Sequence, residues 1–323
     1  MKKFIKSQID SFNGKIYKKS DLLKKKLLEF IPYLIKIKIK NNKLIYDKKI
    51  FDNDWANRRK YIVNILQKML DKYKVKDTVL IINYTDGYFW YVDIPVFNFA
   101  LPIGCQGLIF PNFDIYNFSI EDKNYNFDEM KNIIQKYPIT QTDNDIFFRG
   151  GSTSKKKSKI REKMVDENLP LNVKLDNYEF IGKFKNHKYL LDLPGVKPWS
   201  IRLKYLFLMN SLVFRVSFYN SNNGTINNGE KGRFQQSFDY LFKENRDYVH
   251  LLYSFYSDKE IPQNIYKKCI SYIKEKYIYY ENNQNEYKKI VSNMKKASKK
   301  LNLDEMLKYL HTLIETYTEK LLI

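Results

Sequence analysis

The chain has 323 residues, of which 44% are hydrophobic and 16% aromatic, with 27 Tyr and 22 Phe. That is a folding composition long enough for two ordinary domains, and it excludes a disordered or fibrous chain. The 57 Lys and Arg against 36 Asp and Glu give a formal net charge of +21, which favours anionic partners or substrates without naming one, the more so as a bias toward Lys, Asn, Ile and Tyr supplies part of it.

The N-terminal MKKFIKSQIDSFNGKIY has no apolar core of signal-peptide length, and no later run approaches the ~20 apolar residues of a membrane span. Two cysteines, Cys105 and Cys269, are too few for a disulfide framework. The expectation is a soluble cytoplasmic protein in a reducing compartment. His187, His250 and His311 stand apart from one another and from both cysteines, so no metal-ligand cluster is visible.

Residues 35–47, IKIKIKNNKLIYD, alternate with period two around Asn41-Asn42 and predict a hairpin. From Asp54 to Tyr73, apolar residues at helical spacing predict a helix that feeds the buried strand TVLIIN (78–83). Strands are expected near 95–99, 107–110 and 145–149, with a helix at 127–136. The pattern resumes with strand 187–193, helix 199–209, strand 211–216, helix 234–243 and strand 248–255, and from Pro262 onward it reads as helices only. Strands alternating with helices imply an α/β fold with largely parallel sheets. A boundary is expected within 136–145, and the Gly/Asn-rich 221–232 as a surface insertion.

Ligands of parallel α/β sheets sit at the carboxyl ends of strands, and three segments put chemistry there. In INYTDGY (82–88), Asp86 follows a buried strand; on its own an Asp-Gly pair reads as a turn. In IFFRGGSTSKKKSKIREK (146–163), a strand delivers Arg149, Gly150, Gly151, Ser152 and Thr153, with Arg161 downstream. Glycines allow close backbone approach and hydroxyls and free N–H groups bind oxyanions, so this reads as a phosphate cradle or, through its lysines, as a solvated basic face or nucleic-acid patch. In LDLPGVKPWSIRLKYLF (191–207), Ser200 and Arg202 stand at a helix start where cations oppose the macrodipole unless an anion is present. Asp52/Asp54 and Asp143/Asp145 form Asp-x-Asp triplets, read as a helix cap and a loop rather than as metal ligands. No P-loop, G-x-S-x-G or H-E-x-x-H motif occurs.

These segments, in this order, resemble the CAP10-type glycosyltransferases, the family of protein O-glucosyltransferases and capsule xylosyltransferases. HKYLLDLPGVKPWSIRLKYLFLMNSLVFRV is similar to that family's K-Y-L-[IF]-[ND]-x-x-G, S-x-R-x-K-[YH]-L and S-L-V run, FFRGGST to F-R-G-S-x-T, and DYVHLLYSF to W-V-H-Y-[IV]-P-V. IINYTDGY followed by IPVFNFA resembles the catalytic-Asp segment and the strand after it. The likeness covers roughly 79–255 and departs from the pattern at Gly151, Ser152 and Thr85.

The resemblance implies a GT-B-like fold of two Rossmann-like domains facing a cleft, with a helical C-terminus. Residues 1–141 would form the acceptor-side α/β domain, 142–299 the UDP-sugar-binding α/β domain, and 300–323 a helix packing back on the first. It implies an inverting, metal-independent transfer of glucose or xylose from a UDP-sugar to a protein or glycan hydroxyl, with no bound cofactor. Asp86 would be the catalytic base, and Arg149, Gly150, Gly151, Ser152, Thr153, Arg161, Gly195, Ser200, Arg202 and His250 would hold the donor. The competing readings are a basic nucleic-acid-binding protein, which leaves the strand-end positions of Asp86 and Arg202 unexplained, and an inactive scaffold of the same fold.

Overall fold

The computed structural model describes residues 1–23, 33–47, 56–85, 93–103, 105–112, 118–120, 123–151, 160–164, 171–175, 179–194, 200–220, 234–255 and 263–323. The chain is mixed α/β and divides into two compact units: 1–127, 235–240 and 302–323 form the first, and 128–234 with 241–301 the second.

The first unit is built on a five-stranded sheet, in the order β2-β1-β3-β4-β5, of β1 (Leu34–Lys40), β2 (Lys43–Ile45), β3 (Thr78–Asn83), β4 (Val96–Asn98) and β5 (Leu108–Ile109). β1 and β2 form the expected hairpin. Asn41 and Asn42 turn it with φ of 50° and 58°, the doubly positive geometry of a tight hairpin turn that Asn tolerates. β3, β4 and β5 run parallel, and every residue of β3 is buried, as a strand covered on both faces requires.

Helix Ala56–Lys72 and the C-terminal helix Leu303–Leu321 belong to this unit. The C-terminal helix begins on Asn302, whose side chain accepts from the Glu305 N–H, a helix cap followed by acids that suit the dipole. Its buried phenols reach the sheet backbone: Tyr317 donates to Val79 O at 2.7 Å and Tyr309 to Ile109 O at 2.8 Å. Gln8 on helix Lys2–Asp10 accepts from Ile109 N at 2.7 Å. Side chains thereby occupy both backbone groups of Ile109 on the edge strand β5, which blocks further strand pairing there.

The second unit holds a five-stranded sheet of β6 (Asp143–Gly150), β7 (Leu171–Leu175), β8 (His187–Asp192), β9 (Leu212–Asn220) and β10 (Val249–Phe255), in the order β7-β6-β8-β9-β10. All neighbouring pairs are parallel. One face packs Ile146, Phe148, Tyr189, Leu191 and Phe214 against Tyr266, Cys269 and Ile273 of helix Gln263–Asn282 and Tyr287 of helix Gln284–Ser298. The chain passes from β6 outward to β7 and then returns to β8 on the other side of β6, so the order reverses between β6 and β8. Among the described residues no helix is long and apolar enough to cross a membrane.

Two predicted helices come out differently. Within 199–209 only Leu203–Leu206 is α-helical. Backbone bonds there mix four-residue spacing (Leu206 to Arg202) with three-residue spacing (Leu208 to Tyr205, Met209 to Leu206), because every residue from Leu203 to Met209 is buried and packing sets the turn. Within 234–243, Phe234–Gln235 is extended and Asp239–Leu241 is a 3₁₀ turn. Asp239 accepts from Gln236 N and Asp247 from Lys243 N, side-chain bonds that compete with a helical ladder. Asp143 and Asp145 belong to the start of β6 rather than a loop, with Asp145 Oδ1 2.7 Å from His187 Nδ1. Asp52 and Asp54 lie outside the described residues.

One half-buried contact sets a pH dependence. Lys188 Nζ and Tyr189 OH both donate to Glu281 Oε1 at 2.5 Å. Burial pushes this carboxyl up, but the two donors outweigh it and hold Glu281 below its ordinary 4.5. A folded-state value below the unfolded one gives stability that is full above the unfolded value and is lost as pH falls through the folded one. Glu281→Gln is expected to cost ~1–2 kcal/mol at pH 7, with the gap to wild type closing as denaturation is measured at successively lower pH below about 4.5. A gap that stays constant down to pH 3 would mean that the charge contributes nothing.

Candidate functional site

Doubly wound sheets take ligands in a crevice at the carboxyl ends of the strands where the strand order reverses; here that position lies between β6 and β8. β6 ends on Gly150, the connection after it supplies Gly151 and Arg161, and the connection after β8 supplies Ser200 and Arg202. Their side chains converge. The guanidinium carbons of Arg202 and Arg161 lie 4.4 and 5.4 Å from the centre of the Phe148 ring. Arg161 donates from Nη1 to Gly151 O at 2.6 Å and from Nε to Pro194 O at 3.1 Å, and Arg202 donates from Nη1 to Arg149 O.

Gly150 is required by this approach. An ideal Cβ on it would fall 2.5 Å from Arg202 Nη1 and 3.3 Å from Arg161 Nη1, so any side chain there displaces a guanidinium.

At the end of β8, Asp192 is 2% exposed. Burial pushes its carboxyl up, against the pull of Arg202, the Ser200 hydroxyl, Arg215 and Arg161. Three guanidiniums around one carboxyl leave positive charge in excess. Burial, with the charge of Arg161 beside it, pushes Arg202 down to about 10 from 12.5, while Asp192 pulls the other way. The charged form of Arg202 is therefore held against the cost of its own desolvation. Among the described residues its buried Nη2 has no hydrogen-bond partner. An oxyanion accepting from Nη2 would offset that cost and relieve the repulsion between Arg202 and Arg161.

The expectation that Arg149 grips a diphosphate meets a guanidinium already engaged. Nε donates to Glu179 at 3.0 Å, Nη1 to Phe148 O and Asn172 O at 2.9 and 2.6 Å, and Nη2 to Asn172 Oδ1 at 2.8 Å. The side chain ties β6 to β7, and only its backbone carbonyl meets Arg202. His250 lies near the start of β10, level with Arg215 on β9. Its Nδ1 is 2.6 Å from Glu244 and its Nε2 3.1 Å from Ser217. The helix start expected at 199–209 is a single turn, Leu203–Leu206, and so short a helix carries little dipole. Asp86, Ser152, Thr153 and Gly195 lie outside the described residues.

Asp192 and Arg215 were not singled out by sequence, although both are charged residues inside otherwise apolar strand runs, LLDL and LVFRV. A charge in such a run is desolvated and needs a partner. Continuing the register of Leu190 with Phe147 brings Asp192 level with Arg149, and Asp192 pairs with Arg215 directly. Among the described residues no group of three or more His, Cys, Asp or Glu is placed to hold a metal ion. Comparison with protein-family models and with curated proteins finds no match.

Proposed function

We propose that this protein is an inverting, metal-independent glycosyltransferase that moves glucose or xylose from a UDP-sugar to a hydroxyl of a protein or glycan acceptor. The observation that carries the reading is the Arg161–Arg202 pair closing on Gly150 at the crevice of an all-parallel sheet. Two fixed cations at such an edge suit a diphosphate that gains charge as it departs, and they are already in position when it does. In a GT-B-like arrangement the second unit takes the donor and the first presents the acceptor. Following the family resemblance, Asp86 takes the proton of the acceptor hydroxyl while that oxygen bonds to the anomeric carbon. The bond from this carbon to the UDP oxygen breaks on the opposite face, inverting the centre, and UDP leaves with the electron pair.

A nucleic-acid interface would use exposed cations along a groove. Arg202 instead keeps a buried Nη2 without a partner among the described residues, close to the end of β6. The deciding experiment is release of UDP from a panel of UDP-sugars, run with excess EDTA and with added manganese. Turnover of UDP-glucose or UDP-xylose that EDTA leaves intact is the expected result. Activity lost in EDTA and restored by manganese would refute metal independence. UDP binding with no turnover of any donor would favour the inactive scaffold, and binding of oligonucleotides but not UDP the nucleic-acid reading.

A further inference from the structure

The first unit has a carboxyl edge of its own, where β3, β4 and β5 end side by side. Asn83 closes β3 and donates to Asn98 Oδ1 at the end of β4 at 3.1 Å. Helix Ala56–Lys72 starts at the same edge. Arg58 Nη1 lies 3.4 Å from Tyr84 O, and the Tyr61 hydroxyl donates to Asn112 O at 2.5 Å.

Arg59, in the first turn of that helix, is 4% exposed, with its guanidinium carbon 4.9 Å from the centre of the Tyr84 ring. Its Nε and Nη2 have no hydrogen-bond partner among the described residues. Those two nitrogens form one side of the guanidinium, with parallel N–H bonds, the edge that a carboxylate or phosphate takes with two oxygens. Asn112, past the end of β5, is fully buried, and among the described residues neither its amide oxygen nor its amide nitrogen has a partner. Buried polar atoms are nearly always paired, so a cation and an amide both left open at one strand edge point to a ligand.

We propose that the carboxyl edge of the first unit is a binding site for a small ligand bearing a carboxylate, which Arg59 holds side-on, while the Asn112 amide takes a hydroxyl of the same ligand. A single buried guanidinium matches a monoanion, because burying a second negative charge costs more than one cation returns. Calling this ligand the acceptor, a carboxylated sugar for instance, rests on the glycosyl-transfer reading; the carboxylate site itself does not.

The test uses the full chain with D-glucuronate, D-glucose and glucose 6-phosphate as probes, followed by calorimetry and thermal shift, and UDP as a separate ligand. Glucuronate is expected to bind and raise Tm where glucose does not. Arg59→Lys, which keeps the charge and loses the fork, should weaken glucuronate at least ~10-fold and leave UDP affinity within about twofold. Should that variant fold poorly, phenylglyoxal labelling of Arg59 in the wild type replaces it, expected to slow with glucuronate and not with glucose. No response to glucuronate, an equal response to glucose, a response confined to glucose 6-phosphate, or binding that survives Arg59→Lys would each overturn the proposal. Glucuronate binding through Arg59 in a chain that does not bind UDP would uphold this site and remove the glycosyl-transfer reading.

Discussion

Replacing Arg202 by alanine is expected to weaken UDP binding roughly 10- to 150-fold, the ~1.5–3 kcal/mol of a charge-assisted hydrogen bond in a partly buried site, while changing stability little. The two effects separate because Arg202 is strained by its surroundings in the free protein. Burial and the neighbouring charge of Arg161 both push its ionisation down against the pull of Asp192, so removing it relieves a repulsion as well as deleting the open Nη2 donor, and Arg215 and Arg161 remain beside Asp192. Arg149→Ala is expected to do the reverse. It deletes three hydrogen bonds that join β6 to the residues of and after β7, with a fourth to Phe148 O, and leaves Glu179 without its ion pair, at a cost of ~2–4 kcal/mol in stability with little change in UDP affinity. Calorimetry with UDP and chemical denaturation on both variants measure the contrast. If Arg149→Ala lost UDP affinity as strongly as Arg202→Ala without losing stability, the diphosphate would belong to Arg149 and the crevice assignment would fall.

The larger effect is expected at Asp86. Asp86→Asn keeps the shape of the side chain and removes its basicity, and an acceptor hydroxyl is a poor nucleophile unless its proton is taken as it attacks. Transfer should fall ~10²-fold or more with UDP affinity nearly unchanged, since the base acts on the acceptor. The motive is the sequence: Asp86 follows the buried strand Thr78–Asn83 across Tyr84 and Thr85, in a segment similar to the catalytic-Asp segment of the CAP10-type enzymes. Steady-state rates with the donor found in the UDP-sugar screen check it. Normal turnover would make Asp86 a turn residue beside Gly87, and an equal loss of UDP binding would assign it to the donor.

Much of the fold is legible in the sequence because burial leaves a period. The hairpin at Asn41-Asn42 follows from strict alternation and two residues that accept positive φ. The strands TVLIIN and HKYLLD follow from their short apolar centres, VLII and YLL. Where every residue of a run is buried the period vanishes, and for that reason the segment 199–209 looks helical in sequence and folds as a single α-helical turn within tighter turns.

The crevice was legible as a set of glycines and cations at strand ends, and Arg161, Arg202 and Gly150 do converge there. What the sequence by itself determined is which elements form and that anion-binding residue types stand after the strands. Only the tertiary structure decided which cations are open. Arg149 and Arg202 are the same residue type at equivalent-looking positions, but Asn172 and Glu179, brought alongside from later in the chain, satisfy the first, while burial against Arg161 leaves the second with a donor unused. Arg59 is the same case: in sequence it is one more cation on a helix. Charge is a property of a residue, whereas desolvation and the supply of partners belong to the space the chain encloses, and these decide where a cation binds rather than braces.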